Sequence, residues 1–282
     1  MSISLCDLVN NSLRVSSLPE IYFQINEVLN DPHSSFADIA DVIGADTSLS
    51  ARLLKIVNSP FYGFPSEIDS ISHAVSIVGT RQLRDLALAT TVISYFKGVS
   101  QDYVNMNSFW RHSITCGIAA RAIAVHNREV NSERFFLAGI LHDIGRLILF
   151  ENLSDAAEKI MERFKEGNQL LFQIEREILG FDHTEIGAAL LEAWGLPESL
   201  REMIACHHDP LQSKRYGYEA SIIQMGDILS KAMEAGSSGD PYMPPLQPES
   251  WDQLEMETSV LPFLWNQVET QYENTVDAVL TY

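Results

Sequence analysis

The chain has 282 residues, 46% of them hydrophobic, and a formal net charge of −19. This length and apolar content allow one large or two modest domains with a sizeable buried core. The excess of acidic over basic residues argues against binding to nucleic-acid backbones, because such binding rests on Lys and Arg. We therefore expect no direct contact with DNA or RNA.

The sequence also argues against a membrane or secreted protein. No run approaches the roughly 20 apolar residues of a membrane span, and the first residues lack the basic head and apolar run of a signal peptide. The three cysteines, Cys6, Cys116 and Cys206, are widely spaced and odd in number, which favours free thiols in a reducing compartment. We therefore expect a cytoplasmic protein without membrane contacts.

Helical spacing of apolar residues runs through nearly the whole chain, and no period-two run predicts a strand, so the expected fold is all-α. The first helices are predicted over about 19–29, 35–43, 46–60, 71–78 and 81–96. A side-chain oxygen of Asp46 can cap the third helix, and Gly79 ends the fourth. These helices predict an N-terminal helical bundle, which we assign to a domain over 1–98.

A polar segment over 98–107 is followed by a second run of helices. They are predicted over 109–127, 132–150, 155–166, 170–180, 184–194, 198–207 and 218–233. We assign them to a second helical domain over 99–235.

The end of the chain, 236–282, is predicted to be an acidic linker and a final helix. Gly, Ser and Pro residues over 236–248 favour a loop. From residue 232 onward the chain has nine acidic residues and no Lys or Arg, which repels anionic surfaces. An amphipathic stripe that we expect to dock on the body contains Leu261, Leu264, Val268, Tyr272, Val276 and Val279.

Five of the eight histidines and two aspartates form a series in the second domain. Its members are His112, His142, Asp143, His183, His207, His208 and Asp227. Imidazole nitrogens and carboxylates are the ligands that divalent metals prefer. A single histidine is more often an ordinary satisfied side chain, and His207-His208 at a helix end can bond the last carbonyls. Seven such residues in one domain predict a centre for one or two ions, with Fe, Mn, Mg, Ni and Zn not distinguished.

At these residues the chain resembles the HD superfamily of metal-dependent phosphohydrolases. That superfamily holds one metal with a His, a later His-Asp pair and a distant Asp, which correspond to His112, His142, Asp143 and Asp227. The cyclic-dinucleotide phosphodiesterases of the HD-GYP branch add a second metal, whose ligands correspond to His183, His207 and His208. The resemblance implies a catalytic role for Asp143, a phosphate contact for Arg146, and a nucleotide or phosphate ligand at the metal site.

A larger part of the chain resembles the HDOD family, regulatory relatives in bacterial signalling. The similar segments are 46–63 (DTSLSARLLKIVNSPFYG), 71–75, 78–83 and 192–197 (EAWGLP). Members of that family are mostly regarded as signalling outputs, and many have lost metal ligands. This chain retains the ligand residues.

Three positions depart from the HD-GYP pattern. Arg146 stands where those enzymes have Lys, so a role toward solvent or an acidic partner stays open beside the phosphate contact. No Gly-Tyr-Pro signature follows His208. Ser108 stands where three-metal members have Glu, which predicts at most two metals.

Two cysteines lie near these positions in the sequence. Cys206 precedes His207, which raises the alternative of a thiol nucleophile, but adjacent helical residues point about 100° apart. Cys116 shares a helix face with His112 and can line the site. For both we favour the role of a small core residue.

Two functions compete at this point. The favoured one is a regulatory HDOD module that acts through contacts with an unidentified signalling protein and has a retained HD-type metal site. The alternative is a metal-dependent phosphohydrolase for a phosphodiester or nucleotide substrate.

Overall fold

A computed structural model of the chain describes Leu5, Leu8 and residues 20–31, 33–96, 103–167, 169–240 and 242–280. Every regular element in these ranges is helical, which confirms the all-α prediction. None of their helices is long and apolar enough to cross a membrane.

From residue 20 onward, the first five helices within the described ranges form what we call the N-terminal bundle. They are α1 (Glu20–Asn30), α2 (Phe36–Gly44), α3 (Thr47–Val57), α4 (Ile71–Val78) and α5 (Thr80–Tyr95). Local signals set their ends: the Asp46 carboxylate accepts from the Leu49 amide at 2.9 Å, as predicted for an N-cap. Gly79 separates α4 from α5 with a φ of 100°, a conformation that favours glycine.

The next eight helices form what we call the C-terminal bundle. They are α6 (Met106–His126), α7 (Glu133–Leu141), α8 (Ile144–Asn152), α9 (Ser154–Lys165), α10 (Leu171–Leu179), α11 (His183–Ala193), α12 (Glu198–Ala205) and α13 (Gly217–Ala232). The central part of the long helix α6 is buried on all sides by its neighbours. A Cβ added to Gly139 of α7 would lie 2.5 Å from the Gly117 Cα of α6, so two glycines let these backbones meet.

The single helix predicted over 132–150 is wrong. The structure breaks it at His142 and Asp143, between the end of α7 at Leu141 and the start of α8 at Ile144. Apolar spacing continues across the break because both short helices are buried, so periodicity did not indicate it. The break turns the two polar side chains into the interior.

The final part of the chain contains α14 (Pro248–Gln253) and α15 (Leu261–Leu280), with short 3₁₀ turns at Pro210–Gln212 and Thr258–Val260. The prediction missed α14 because of its proline, which the first turn of a helix tolerates. The docking of α15 is confirmed: it packs on α6 and α3, with Leu264, Val268 and Val279 buried.

The two bundles are joined by a buried ionic contact. The Arg121 guanidinium donates to the Glu133 carboxylate at 3.2 Å and to the Phe61 carbonyl at 2.9 Å. The Tyr62 hydroxyl donates to Glu133 at 3.1 Å, and Arg121 stacks over both aromatic rings. Residues 58–63 belong to the segment 46–63 that resembles the HDOD family. They therefore attach the N-terminal bundle to α6 and α7.

The division into 1–98, 99–235 and 236–282 stays a prediction. One contiguous core includes buried apolar residues from all three segments. The expected boundary at 98 lies outside the described residues, as does Cys6.

Candidate metal centre

The structure brings all seven predicted ligand residues together inside the C-terminal bundle. They come from α6 (His112), the α7–α8 break (His142, Asp143), the start of α11 (His183), the end of α12 (His207, His208) and α13 (Asp227). Six of their side chains are no more than 1% exposed, and His208 is partly buried. The helix junctions thus direct polar side chains to one point in an apolar interior.

The first ligand group contains His112, His142, Asp143 and Asp227. The His112 Nε2 atom lies 3.3 Å from His142 Nε2 and 3.1 Å from Asp227 Oδ1. The Asp143 Oδ2 atom lies 3.2 Å from His142 Nε2 and 3.7 Å from His112 Nε2. Two nitrogens and two carboxylate oxygens therefore converge.

The second ligand group contains Asp143, His183, His207 and His208, each with one ligand atom within 4.8 Å of the others. Here it is the other Asp143 oxygen, Oδ1, that lies 2.9 Å from His183 Nε2 and 3.9 Å from His207 Nε2. The His208 Nε2 atom lies 3.2 Å from His183 Nε2. Asp143 is thus shared, with one oxygen directed to each group.

The imidazole rings are oriented through their Nδ1 atoms. These atoms contact Ser230 Oγ (from His112, 3.1 Å), the Gly139 carbonyl (from His142, 2.6 Å), Glu175 Oε2 (from His183, 2.6 Å) and the Ile204 carbonyl (from His207, 2.8 Å). Such partners assign the ring proton to Nδ1 and leave the Nε2 lone pair for a metal.

The candidate ligand atoms also suit divalent metal ions. The buried His207 Nε2 atom makes no hydrogen bond to any described residue, and Asp143 Oδ1 and Asp227 Oδ1 face imidazole Nε2 atoms at 2.9 and 3.1 Å without hydrogen-bond geometry. Buried polar atoms without partners are rare, and imidazole and carboxylate are ligands for divalent ions. The residues therefore fit one or two divalent ions, and the ligand types do not select among the metals.

Comparison with known proteins identifies the family. The HDOD domain model matches residues 15–210, more than half of the chain. The chain belongs to the HDOD family. The matched range contains six of the seven candidate ligand residues of this HDOD chain, and Asp227 lies beyond it.

Solved structures share the fold of this HDOD chain. An HDOD domain protein of Geobacter sulfurreducens superposes with a TM-score of 0.72 at 23% identity, covering 91% of this chain and 93% of that one. A phosphohydrolase candidate from Shewanella amazonensis SB2B superposes with a TM-score of 0.78 at 23% identity, covering 99% and 98%. At this identity the likeness establishes the fold.

One curated relative is a protein of Treponema pallidum (strain Nichols), 25% identical over 210 residues. The match covers 74% of the HDOD chain and 40% of the relative. The chain therefore matches only part of that protein's length.

Sequence reasoning missed two charged residues beside the centre of this HDOD protein. Glu175 accepts from His183 and is fully buried, and Lys231 donates to Asp227 Oδ2 at 2.9 Å. Both positions had a local signal. Glu175 falls on the apolar stripe of α10 with Leu171, and Lys231 lies four residues after Asp227, one turn along the same helix.

Burial and neighbouring charges shift the pKa values of the histidines in opposite directions. Burial lowers the pKa of His112, and that of His207 to about 3, so both rings are neutral at pH 7. Burial also disfavours the charged form of His183, but Glu175 and Asp143 outweigh it and raise its pKa to about 9. Without an ion, the carboxylates thus favour a proton on His183. Ion binding has to release that proton.

The two aspartates are held in the ionised form that a ligand needs. Burial acts to raise the pKa of Asp143, but Arg146 and His142 outweigh it and hold the pKa well below its usual value. For Asp227, burial is likewise outweighed, first by Lys231 and then by His112.

Arg146 lies against acidic partners rather than solvent. Its side chain is fully buried, and its NH1 atom donates to Ser238 Oγ at 2.6 Å and lies 3.3 Å from Asp143 Oδ2. Its Nε atom lies 3.7 Å from Glu175 Oε1. Arg146 thus balances the carboxylates of the centre, and its role on phosphate stays a prediction.

The start of the predicted linker is attached to residues next to the centre. The Ser237 amide donates to Ser108 Oγ at 2.9 Å, and a side chain at Gly236 would clash with the Ser108 carbonyl. Ser108, noted for its place in the HD-GYP pattern, therefore binds the chain's own backbone. Together with the contact between Ser238 and Arg146, this fixes segment 236–238 against α6 and Arg146.

The two cysteines in the described ranges, Cys116 and Cys206, have thiols that resist ionisation. Burial raises the pKa of the Cys116 thiol. Burial and the Glu202 carboxylate raise the pKa of the partly buried Cys206 to about 11. Both thiols are protonated at pH 7, which disfavours a nucleophile.

We expect Glu175→Gln to weaken binding of one ion selectively. The substitution removes the charged acceptor of His183 Nδ1, and loss of such a partner lowers metal affinity by about 10–100-fold. Competitive titration with Mn²⁺ and a chromophoric chelator measures both affinities. The matched control is Glu177→Gln on the exposed side of the same helix. A variant in which both ions bind as in the wild type would contradict this role.

Proposed function

We propose that this HDOD protein is a regulatory module of bacterial signalling that acts through protein contacts, with the metal centre as a structural element. One observation carries the proposal: nearly the whole set of candidate ligands is buried. Six of the seven side chains are at most 1% exposed, His208 is partly buried, and Arg146 and Ser238 are buried beside Asp143. A hydrolytic centre needs an open position for substrate, whereas a structural site is enclosed by protein ligands.

In this role the ligands hold helices in place. The first group joins α6, the α7–α8 break and α13, and the second joins that break to α11 and α12. Ion binding therefore stabilises the arrangement of five parts of the C-terminal bundle. The surfaces left for an unidentified signalling protein are the N-terminal bundle and the acidic end of the chain.

Removal of metal is expected to lower the melting temperature of the wild-type protein. At free metal 100 times above the dissociation constant, ligand binding stabilises by about 2.7 kcal/mol, which is roughly 5–10 °C. Differential scanning calorimetry with and without a chelator measures the shift. Asp143→Ala, which lacks the shared ligand, serves as the control and should not respond. Equal shifts in both proteins count against the centre.

The alternative function, a metal-dependent phosphohydrolase, is favoured by the two adjoining ligand groups that share Asp143. When bound, two neighbouring divalent ions activate water and stabilise charge that develops on a phosphoryl group. In that reading Asp143 would supply a ligand to each ion, and Arg146 keeps the Asp143 carboxylate ionised.

A hydrolysis screen separates the two functions. Metal-replete protein with Mn²⁺ or Fe²⁺ is tested on bis(p-nitrophenyl) phosphate and on nucleotides, with Asp143→Ala as the control. The regulatory function predicts no turnover at ordinary enzymatic rates. Turnover that disappears in Asp143→Ala favours the hydrolase, and turnover that survives in it indicates contamination.

A further inference from the structure

A second site lies away from the metal ligands, in a cavity of about 360 Å³ between the two bundles. Its walls come from α1 and α5 of the N-terminal bundle, and from α7 and the start of α12 of the C-terminal bundle. This volume falls within the usual range of small-molecule sites. None of the seven metal-ligand residues lines it.

The lining is cationic in a strongly acidic chain. Arg81, Arg84 and Arg134 line the cavity together with one carboxylate, Asp85. That carboxylate is already engaged: Arg84 donates to its Oδ1 from Nε at 3.0 Å and from NH2 at 2.7 Å, and the Asn131 amide donates to its Oδ2 at 3.3 Å. Arg134 is paired with Glu129 at 3.1 Å and with Glu219 at 3.6 Å, outside the lining. Arg81 has no carboxylate partner among the described residues, so its guanidinium supplies the positive charge that this wall leaves unbalanced.

The wall also holds polar atoms without protein partners. Arg134 Nε and Asn131 Oδ1 are buried and make no hydrogen bond to any residue in the described ranges, although Arg134 NH2 donates to Glu129 at 3.1 Å. Helix α12 begins at the cavity with Pro197 at its N-cap, which has no polar side chain to cap it. A helix N-terminus favours an anion, and the Glu198 carboxylate of the same turn is paired with Arg215 at 2.9 Å.

Most of the remaining lining is apolar. Leu88, Leu137, Leu196 and Met203 face the cavity beside the ring of Tyr22. A ligand that satisfies the wall therefore has an anionic head for the arginines and an apolar body. Guanidinium groups match a phosphate with paired hydrogen bonds, and here the exposed Arg81 group and the unsatisfied Arg134 Nε atom are left to donate them.

We infer that this cavity binds a small phosphorylated molecule with an apolar or aromatic body. Such a ligand contacts both bundles at once and stabilises their contact. The site goes beyond the proposed function, since it requires neither the metal ions nor a partner protein.

The probe is phenyl phosphate, which combines a phosphate dianion with an aromatic ring, and its binding to the full chain is measured by isothermal titration calorimetry. Inorganic phosphate and phenol represent the two parts alone. We expect phenyl phosphate to bind more tightly than either part, and chelation of metal to leave its affinity unchanged. Absence of binding at millimolar concentration, or loss of binding on chelation, would overturn the inference.

Two variants test the location. Arg81 is exposed, and Arg81→Gln should weaken phenyl phosphate about tenfold through loss of one charge-assisted contact. Ser199→Glu places a carboxylate in the first turn of α12, where it suits the helix but repels the ligand, so binding should be lost while the fold is kept. The control Arg163→Gln changes an arginine that does not line the cavity and should bind as the wild type does. Unchanged binding in both cavity variants would overturn the inference.

Discussion

Asp143→Ala is expected to bind neither ion and to melt at a much lower temperature than the wild type. Asp143 directs one oxygen to each ligand group, so its removal takes a ligand from both. It also takes from the fully buried Arg146 the nearer of its two carboxylate partners and leaves Glu175 Oε1 at 3.7 Å. Breaking a buried ion pair costs about 3–5 kcal/mol, which corresponds to a loss of roughly 10 °C. Elemental analysis of untagged protein and calorimetry measure the two effects.

The control for this result is Asp155→Ala, which removes an exposed aspartate from the first turn of α9. It should keep its metal content and melt close to the wild type. Asp143→Asn keeps the shape of the side chain without its charge, and we expect an intermediate metal content. If Asp143→Ala retains the metal content of the wild type, the shared-ligand arrangement is wrong.

Glu133→Ala is expected to destabilise the protein by a comparable amount without touching a metal ligand. Glu133 accepts from Arg121 and from the Tyr62 hydroxyl, and it is only 4% exposed. Its loss leaves the Arg121 guanidinium buried against Phe61 with its charge unbalanced. The cost is again about 3–5 kcal/mol, measured by urea unfolding followed by circular dichroism.

An exposed pair provides the contrast. Arg163 and Glu177 form an ion pair whose side chains are about half exposed, and Glu177→Ala should cost less than about 1 kcal/mol. The double variant Arg121→Met/Glu133→Leu removes both charges and should be more stable than Glu133→Ala alone, because no buried charge is left unpaired. A double variant as unstable as the single one would show that the cost lies in packing and not in charge.

Local patterns predicted most of the helices because the interactions that form and end a helix span few residues. Asp46 caps α3 from three positions away, and Gly79 separates two helices through its own φ angle. The same reasoning failed at 132–150, where burial on all sides of α7 and α8 kept the apolar pattern continuous through the break at His142 and Asp143. It failed at Glu175 because a charged residue on an apolar stripe has no local partner to reveal its role.

The sequence by itself determined the helical class, the approximate helix ranges, the set of ligand residue types and the resemblance to the family, since each depends on residue identity or short spacing. Only the tertiary structure decided that Asp143 faces both ligand groups, that Glu175 and Ser230 orient rings, and that segment 236–238 contacts Ser108 and Arg146. These contacts join distant parts of the chain: His112 meets His142 across 30 residues and Ser230 across 118. Helical periodicity repeats every 3.6 residues and contains no information about pairing over such separations.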